Sequence, residues 1–300
     1  MFNSYLFSTL FLAISYTKVC SAGPLLTERL SPTELSQAQM EGFAPFTHFA
    51  RVAYCQPSAV KSWSCGAECK ANSDFILVEV GGDGLTAQGY SPSQQSVIVA
   101  HQESNPVHIE PWITYAGFLP KSLDPSLFPG IPDNILVHSG FANDYTKSAA
   151  KVLDVVIRTV SDYKATKVTT VGHSLGGALA LLDGVYLPLH MSGGSFRTIT
   201  NGMPRVGNQA LADYVDTDVS MTHINNRKET IPLLPPRFLG FEHSSGEIHI
   251  TEDGDWVSCP GHDNPDAQCT AGALETNLFD HYGPYGGDVM MGGKGCQPPA

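Results

Sequence analysis

Val171-Gly172-His173-Ser174-Leu175-Gly176-Gly177-Ala178-Leu179-Ala180 decides how this chain is read. It contains Gly-x-Ser-x-Gly, the pattern of a nucleophile elbow, in which a serine sits on a sharp turn between a strand and a helix. The flanking glycines have a steric purpose. The elbow strains the backbone at the serine, and a Cβ two residues away would collide with the adjoining strand or helix. Five residues alone are a weak signal, and their setting makes them specific. Lys167-Val168-Thr169-Thr170-Val171 reads as a short buried strand before the serine. Ala178-Leu179-Ala180-Leu181-Leu182 opens a helix after it, so the motif has the context its chemistry requires.

Working outward, strand-like and helix-like patterns alternate. Phe75 to Val80 and Ser96 to Ala100 are runs rich in β-branched residues, bounded by turns. Ala149, Val152, Leu153, Val156, Val160 and Tyr163 recur at helical spacing and predict a helix across Asp144 to Lys164. The elbow helix is expected to run to about His190, with further strands at Phe196 to Thr200 and Thr222 to Asn225. This order predicts an α/β protein with a mostly parallel central sheet flanked by helices on both faces. The C-terminal third is rich in Gly and Pro and reads mainly as loop, where site residues hang from strand ends. No internal repeat or low-complexity linker interrupts the pattern.

Met1 to Ala22 read as a secretory signal. Tyr5 to Tyr16 is apolar but too short to span a bilayer, and Cys20-Ser21-Ala22 supplies small residues for cleavage. Residues 23–300 are then expected to form one domain, secreted and without an integral membrane segment. The net charge of −12, from 29 acidic against 17 basic residues, disfavours nucleic acid and anionic membrane surfaces as partners. Any lipid contact must therefore come from apolar surface. Beyond the signal stand Cys55, Cys65, Cys69, Cys259, Cys269 and Cys296. An even number in an exported chain favours three disulfides, though connectivity stays open among 15 possibilities. A zinc site at Cys65-x-x-x-Cys69 is disfavoured because no second ligand pair stands at metal spacing. No metal or other cofactor is expected.

A serine hydroxyl is a poor nucleophile until a positioned imidazole takes its proton, and that imidazole needs a carboxylate to fix its tautomer. On elbow scaffolds these follow in the order Ser, acid, His. Downstream of Ser174 the chain offers Glu229 in Asn225-Asn226-Arg227-Lys228-Glu229-Thr230, before Ile231-Pro232-Leu233-Leu234-Pro235-Pro236. Asp216 and Asp218 are rival acids, but they precede the strand whose end should carry the role. His281 follows in Phe279-Asp280-His281-Tyr282-Gly283-Pro284-Tyr285, while His243, His249 and His262 also follow the acid. His173 is expected to pack under the elbow rather than take a proton. These motifs, together with Gly202-Met203-Pro204-Arg205-Val206-Gly207-Asn208 and Gly172 to Gly177, resemble the secreted fungal class 3 lipases across residues 45 to 296.

The resemblance implies an α/β-hydrolase fold with a short lid over the site. It also implies cleavage of acylglycerol esters at an oil–water interface, by a protein expected to be a monomer. It makes Ser174 the nucleophile, His281 the base and Glu229 the acid, although Asp is the family's commoner residue there. The oxyanion hole needs two backbone N–H groups. One is assigned to Leu175, the residue after the nucleophile, and the other, by resemblance, to Ser104 in His101-Gln102-Glu103-Ser104, where the family often has Gly before Thr or Ser. The disulfides it implies are Cys55–Cys296, Cys65–Cys69 and Cys259–Cys269. Past the oxyanion segment, Ile109, Trp112, Ile113 and Ala116 fall at helical spacing on one face, and Phe118 and Leu119 extend it. That segment is the candidate lid and substrate contact, with a core-sealing amphipathic helix as the plainer reading. A feruloyl or other small-ester esterase, and an inactive lipid-binding relative, are the competing functions.

Overall fold

The strand before the elbow lies in the interior of a nine-stranded sheet. The structure, a computed structural model, describes residues 31–81, 86–101 and 119–292. In chain order the strands are β1 (Thr33–Glu34), β2 (Ile76–Gly81), β3 (Thr86–Ser91), β4 (Ser96–His101), β5 (Pro120–Ser122), β6 (Leu136–His138), β7 (Lys167–His173), β8 (Ser195–Asn201), β9 (Ser220–Asn226), β10 (Glu247–Ile250) and β11 (Trp256–Cys259). The large sheet has the order β1-β11-β10-β9-β8-β7-β4-β3-β2, and β5 pairs β6 apart from it. Its five central strands, β4, β7, β8, β9 and β10, are mutually parallel. The pairs toward both edges, β4–β3, β3–β2, β10–β11 and β11–β1, are antiparallel. This is the α/β-hydrolase arrangement expected from the sequence.

Parallel strands need both faces covered, and their side chains alternate between the two. Val97 and Val99 of β4 join one apolar cluster with Val152, Val156, Leu179 and Leu182 of the helices Ala149–Tyr163 and Leu175–His190. Ile98 and Ala100 of the same strand join the opposite cluster with Phe46, Phe49 and Val52 of the helix Ala44–Val52. Each such fully buried aliphatic side chain gains roughly 1.5–3 kcal/mol over exposure. The elbow helix is apolar almost all round and its first thirteen residues are buried, as expected for a helix enclosed on every side.

Most elements stand where the sequence put them. The helix expected over Asp144 to Lys164 is instead two. Ser139–Tyr145 ends at Thr146, and a turn precedes Ala149–Tyr163. The backbone carbonyls of Asp144 and Tyr145 accept from Lys147 and Ser148 in that turn, closing the first helix before the second begins. Cys65–Cys69 and Cys259–Cys269 are formed. Cys55 is also disulfide-bonded, while Cys296, its expected partner, lies outside the described residues. So do the signal segment 1–22, Glu103 and Ser104, and Ile109, Trp112, Ile113 and Phe118 of the candidate lid. Leu119 is described and is 76% exposed just before β5.

Candidate active site

Three parallel strands deliver the site at their C-terminal ends, where open α/β sheets bind ligands. β7 ends at His173, and Ser174 follows with φ +58° and ψ −124°. A non-glycine residue there is strained by about 1–3 kcal/mol, and the surroundings hold it in place. The Ser174 N–H donates to the Asn201 carbonyl at 3.0 Å, at the end of β8. A Cβ on Gly172 would lie 2.1 Å from the Gly176 carbonyl oxygen, so the turn closes only with glycine at that position. Leu175 opens the elbow helix, and first-turn N–H groups have no acceptor within their own helix, which is the property an oxyanion donor needs.

Gly202, just past β8, has φ +55°. A side chain there would press on two of the converging residues directly: its Cβ would fall 2.7 Å from Glu229 Oε2 and 2.8 Å from His281 Cε1. Glu229 follows the end of β9, and Asn226 at that strand end donates its N–H to Glu229 Oε1 at 2.5 Å. Tyr285 O–H donates to Oε2 at 2.9 Å. His281 arrives on the short 3-10 turn Leu278–Tyr282. That turn is fastened to the acid loop by Asn226 Nδ2 donating to the Asp280 carbonyl at 2.7 Å and by the Lys228 N–H donating to Asp280 Oδ2 at 3.2 Å.

The convergence is direct. His281 Nδ1 stands 2.7 Å from Glu229 Oε2, and His281 Nε2 stands 2.7 Å from Ser174 Oγ. The network fixes the tautomer: Nδ1–H donates to the carboxylate, leaving Nε2 as the acceptor for the serine proton. All three side chains are almost wholly buried. Burial pushes the Glu229 carboxyl up to about 8, against hydrogen bonds from Asn226 and Tyr285 that favour its charged form. The groups that face the Glu229 carboxyl oxygens are the Asn226 N–H, the Tyr285 O–H and His281 Nδ1, the surroundings of a carboxylate. Burial pushes the His281 imidazole down to about 3, so the ring is neutral and able to accept a proton at ordinary pH.

His173 packs beneath this assembly as expected. Tyr54 O–H donates to its Nδ1 at 2.6 Å, and its Nε2–H donates to the His281 carbonyl at 2.9 Å. Burial drives its imidazole well below the usual histidine range, consistent with a neutral support. The rival residues lie elsewhere. Asp216 accepts from Ser245 and His262 near the surface, His243 faces the Pro232 carbonyl, and His249 contacts the Arg227 and Gln268 carbonyls. Asp218 ends the helix Gln209–Asp218 ahead of β9. Sequence reading missed Gly202, Tyr285 and Tyr54. Gly202 and Tyr285 sit inside quoted motifs, but nothing in one sequence indicates their contact with Glu229. Among the described residues, no cluster of three His, Cys, Asp or Glu could hold a metal ion.

A family model described as "Lipase (class 3)" matches residues 99–239. A secreted mono- and diacylglycerol lipase of Malassezia globosa is 30% identical over 219 residues, covering 71% of this chain and 72% of that protein. The solved lipase II of Rhizopus niveus superposes with a TM-score of 0.76 at 24% identity, covering 89% of this chain and all of that one. A solved triacylglycerol lipase, whose centre is described as a serine protease triad, superposes at 0.74 with 25% identity, over 86% of this chain and 98% of that one.

Proposed function

The chain belongs to the class 3 lipase family, and from that premise we propose that it is a secreted serine hydrolase of acylglycerol esters, with Ser174 as nucleophile, His281 as base and Glu229 as acid. The observation that carries this reading is the unbroken relay from Ser174 Oγ through both ring nitrogens of His281 to Glu229. In the first half-reaction, Ser174 Oγ bonds to the ester carbonyl carbon while its proton passes to His281 Nε2. The carbonyl π pair moves onto oxygen, which the Leu175 N–H and a second donor at Ser104 stabilise. Collapse expels the glyceride alcohol, which takes the proton from His281. Water repeats the sequence on the acyl-enzyme and frees the fatty acid. Glu229 holds the ring and balances the imidazolium charge.

The acylglycerol class is supported by the names of the relatives, which span mono-, di- and triacylglycerol lipases. Export through residues 1–22 is supported by the apolar segment and by the relative named as secreted. Action at an interface is supported by the burial of the nucleophile: Ser174 exposes no surface, so an ester reaches it only after a conformational change. The segment carrying Ile109, Trp112, Ile113 and Phe118 is the proposed cover, with apolar side chains that a lipid phase would receive. Hydrolysis of mono-, di- and triacylglycerols, each followed through its solubility limit, tests the reading. Activity is expected to rise when the substrate forms a separate phase, and Trp112→Ser to weaken that rise more than hydrolysis of a soluble short-chain ester. A flat response together with preference for feruloyl or acetyl esters would overturn it.

A further inference from the structure

The elbow helix carries one charged residue, Asp183, and it exposes no surface. Around it the helix packs Leu179, Leu182 and Tyr186 into the main apolar cluster. A carboxylate in such surroundings is costly unless it is paired. Two donors meet it: His101 Nε2–H at 2.5 Å on one oxygen and Tyr145 O–H at 2.7 Å on the other. Both of these side chains are also fully buried.

The place of His101 gives the pair its interest. It is the last residue of β4, on the face that Val97 and Val99 fill with aliphatic side chains. Alternation therefore calls for a third apolar residue. Its backbone pairs in register with Gly172, two residues before the nucleophile. With Nε2–H committed to Asp183, the second ring nitrogen, Nδ1, is buried and finds no hydrogen-bond partner among the described residues. Stability alone is a weak reason for the arrangement. A buried ion pair is commonly matched or bettered by apolar residues of the same volume, and an orphaned ring nitrogen adds a further cost. What the pair does provide is fixed direction between the end of β4 and the helix that Leu175 begins.

We propose that Asp183, gripped by His101 and Tyr145, is a positioning clamp that locks the end of β4 against the elbow helix and so sets the oxyanion-stabilising geometry at Ser174. This inference rests on the serine-hydrolase reading. The helix bearing Asp183 starts with Leu175, a proposed oxyanion donor, and His101 pairs in register with Gly172 of the strand that leads into Ser174. A displacement of about 1 Å at such a site can cost on the order of 100-fold in rate. Loosening the clamp should therefore affect the transition state more than substrate binding.

The test uses the whole protein and a trifluoromethyl ketone as probe. Ser174 Oγ adds to the probe's carbonyl carbon, the serine proton goes to His281, and the carbonyl pair becomes an oxyanion, with no group leaving. Asp183→Asn and His101→Leu are expected to lower kcat about 10- to 100-fold with KM little changed, and to weaken the ketone by the same factor. His101→Gln, whose amide can still donate to Asp183, should recover much of the loss, and Tyr145→Phe should give a smaller effect of the same kind. Tyr145→Phe and His101→Gln keep the test open if Asp183→Asn does not fold. A lowered melting temperature with kcat and ketone affinity within twofold of the parent would overturn the clamp and leave a purely structural pair. A parent protein that neither hydrolyses esters nor binds the ketone would overturn the hydrolase reading, and the clamp with it.

Discussion

Among the described residues, two imidazole–carboxylate pairs are fully buried at similar distances, and one of them also meets a serine hydroxyl. His281 sits 2.7 Å from Glu229, and His101 sits 2.5 Å from Asp183. The difference is which ring nitrogen faces the acid. Glu229 takes Nδ1, the nitrogen nearest the backbone, so the outer Nε2 reaches Ser174 Oγ. Asp183 takes Nε2, which leaves only Nδ1, set close against the main chain and without a partner among the described residues. On the proposed readings, the carboxylate on the inner nitrogen leaves His281 free to act as a base, and the carboxylate on the outer nitrogen makes His101 a brace. Both pairs join a histidine to a carboxylate and both are buried, so these features cannot distinguish the two.

The largest expected effect removes what sets the pairs apart. Ser174→Ala leaves His281–Glu229 as inert as His101–Asp183, and kcat on any acylglycerol should fall about 10⁶-fold, toward the residue left by binding and oxyanion donors alone. Labelling by a serine-directed phosphonate should vanish with it. Substantial turnover in the pure variant would show that the elbow serine is not the nucleophile.

Next in size is Glu229→Gln. The amide keeps the volume and one acceptor but cannot balance an imidazolium, and it can present N–H to His281 in place of an acceptor. A fall in kcat of about 10³- to 10⁴-fold with an intact fold is expected. Near-parental kcat would mean that Glu229 only braces its ring, as Asp183 does.

How far the sequence reaches can be judged from these same residues. Ser174 was legible because its turn imposes glycine at 172, a strand before it and a helix after it, all local constraints. Order alone left Glu229 and His281 with rivals; the resemblance singled them out, and the structure places both beside Ser174. β10 was not: Glu247-Ile248-His249-Ile250 alternates polar with apolar, yet all four residues are buried. Glu247 accepts the Thr270 N–H and His249 contacts two carbonyls, partners that no local pattern announces. β3 fails similarly, since Thr86-Ala87-Gln88-Gly89-Tyr90-Ser91 has neither alternation nor strong strand propensity. Arg205 and Asp263 form a buried ion pair at 2.6 Å across 58 positions of sequence. Such pairs follow from the finished topology, as does the contact of Tyr285 with Glu229.

That contact gives the finest test. Tyr285 O–H is a donor to Glu229 Oε2 beyond what the base itself supplies, and it favours the carboxylate over the neutral acid. Burial acts the other way and carries the group to about 8. The imidazole is pushed down to about 3, so from pH 5 upward its protonation does not limit the reaction, and the acid limb belongs to Glu229. Activity should therefore rise with pH toward about 8, as the neutral acid gives way to the carboxylate. Tyr285→Phe removes one favourable hydrogen bond to the charged form, on the order of 1 kcal/mol, so the apparent pKa must move up, by somewhat under one pH unit. The rate at neutral pH should drop only several-fold, and the plateau above the limb should recover most of the parental kcat. A uniform loss at every pH would make Tyr285 a packing residue. A limb shifted downward would mean that the hydroxyl favours the neutral acid, reversing the charge assigned to Glu229 and with it the distinction between base and brace.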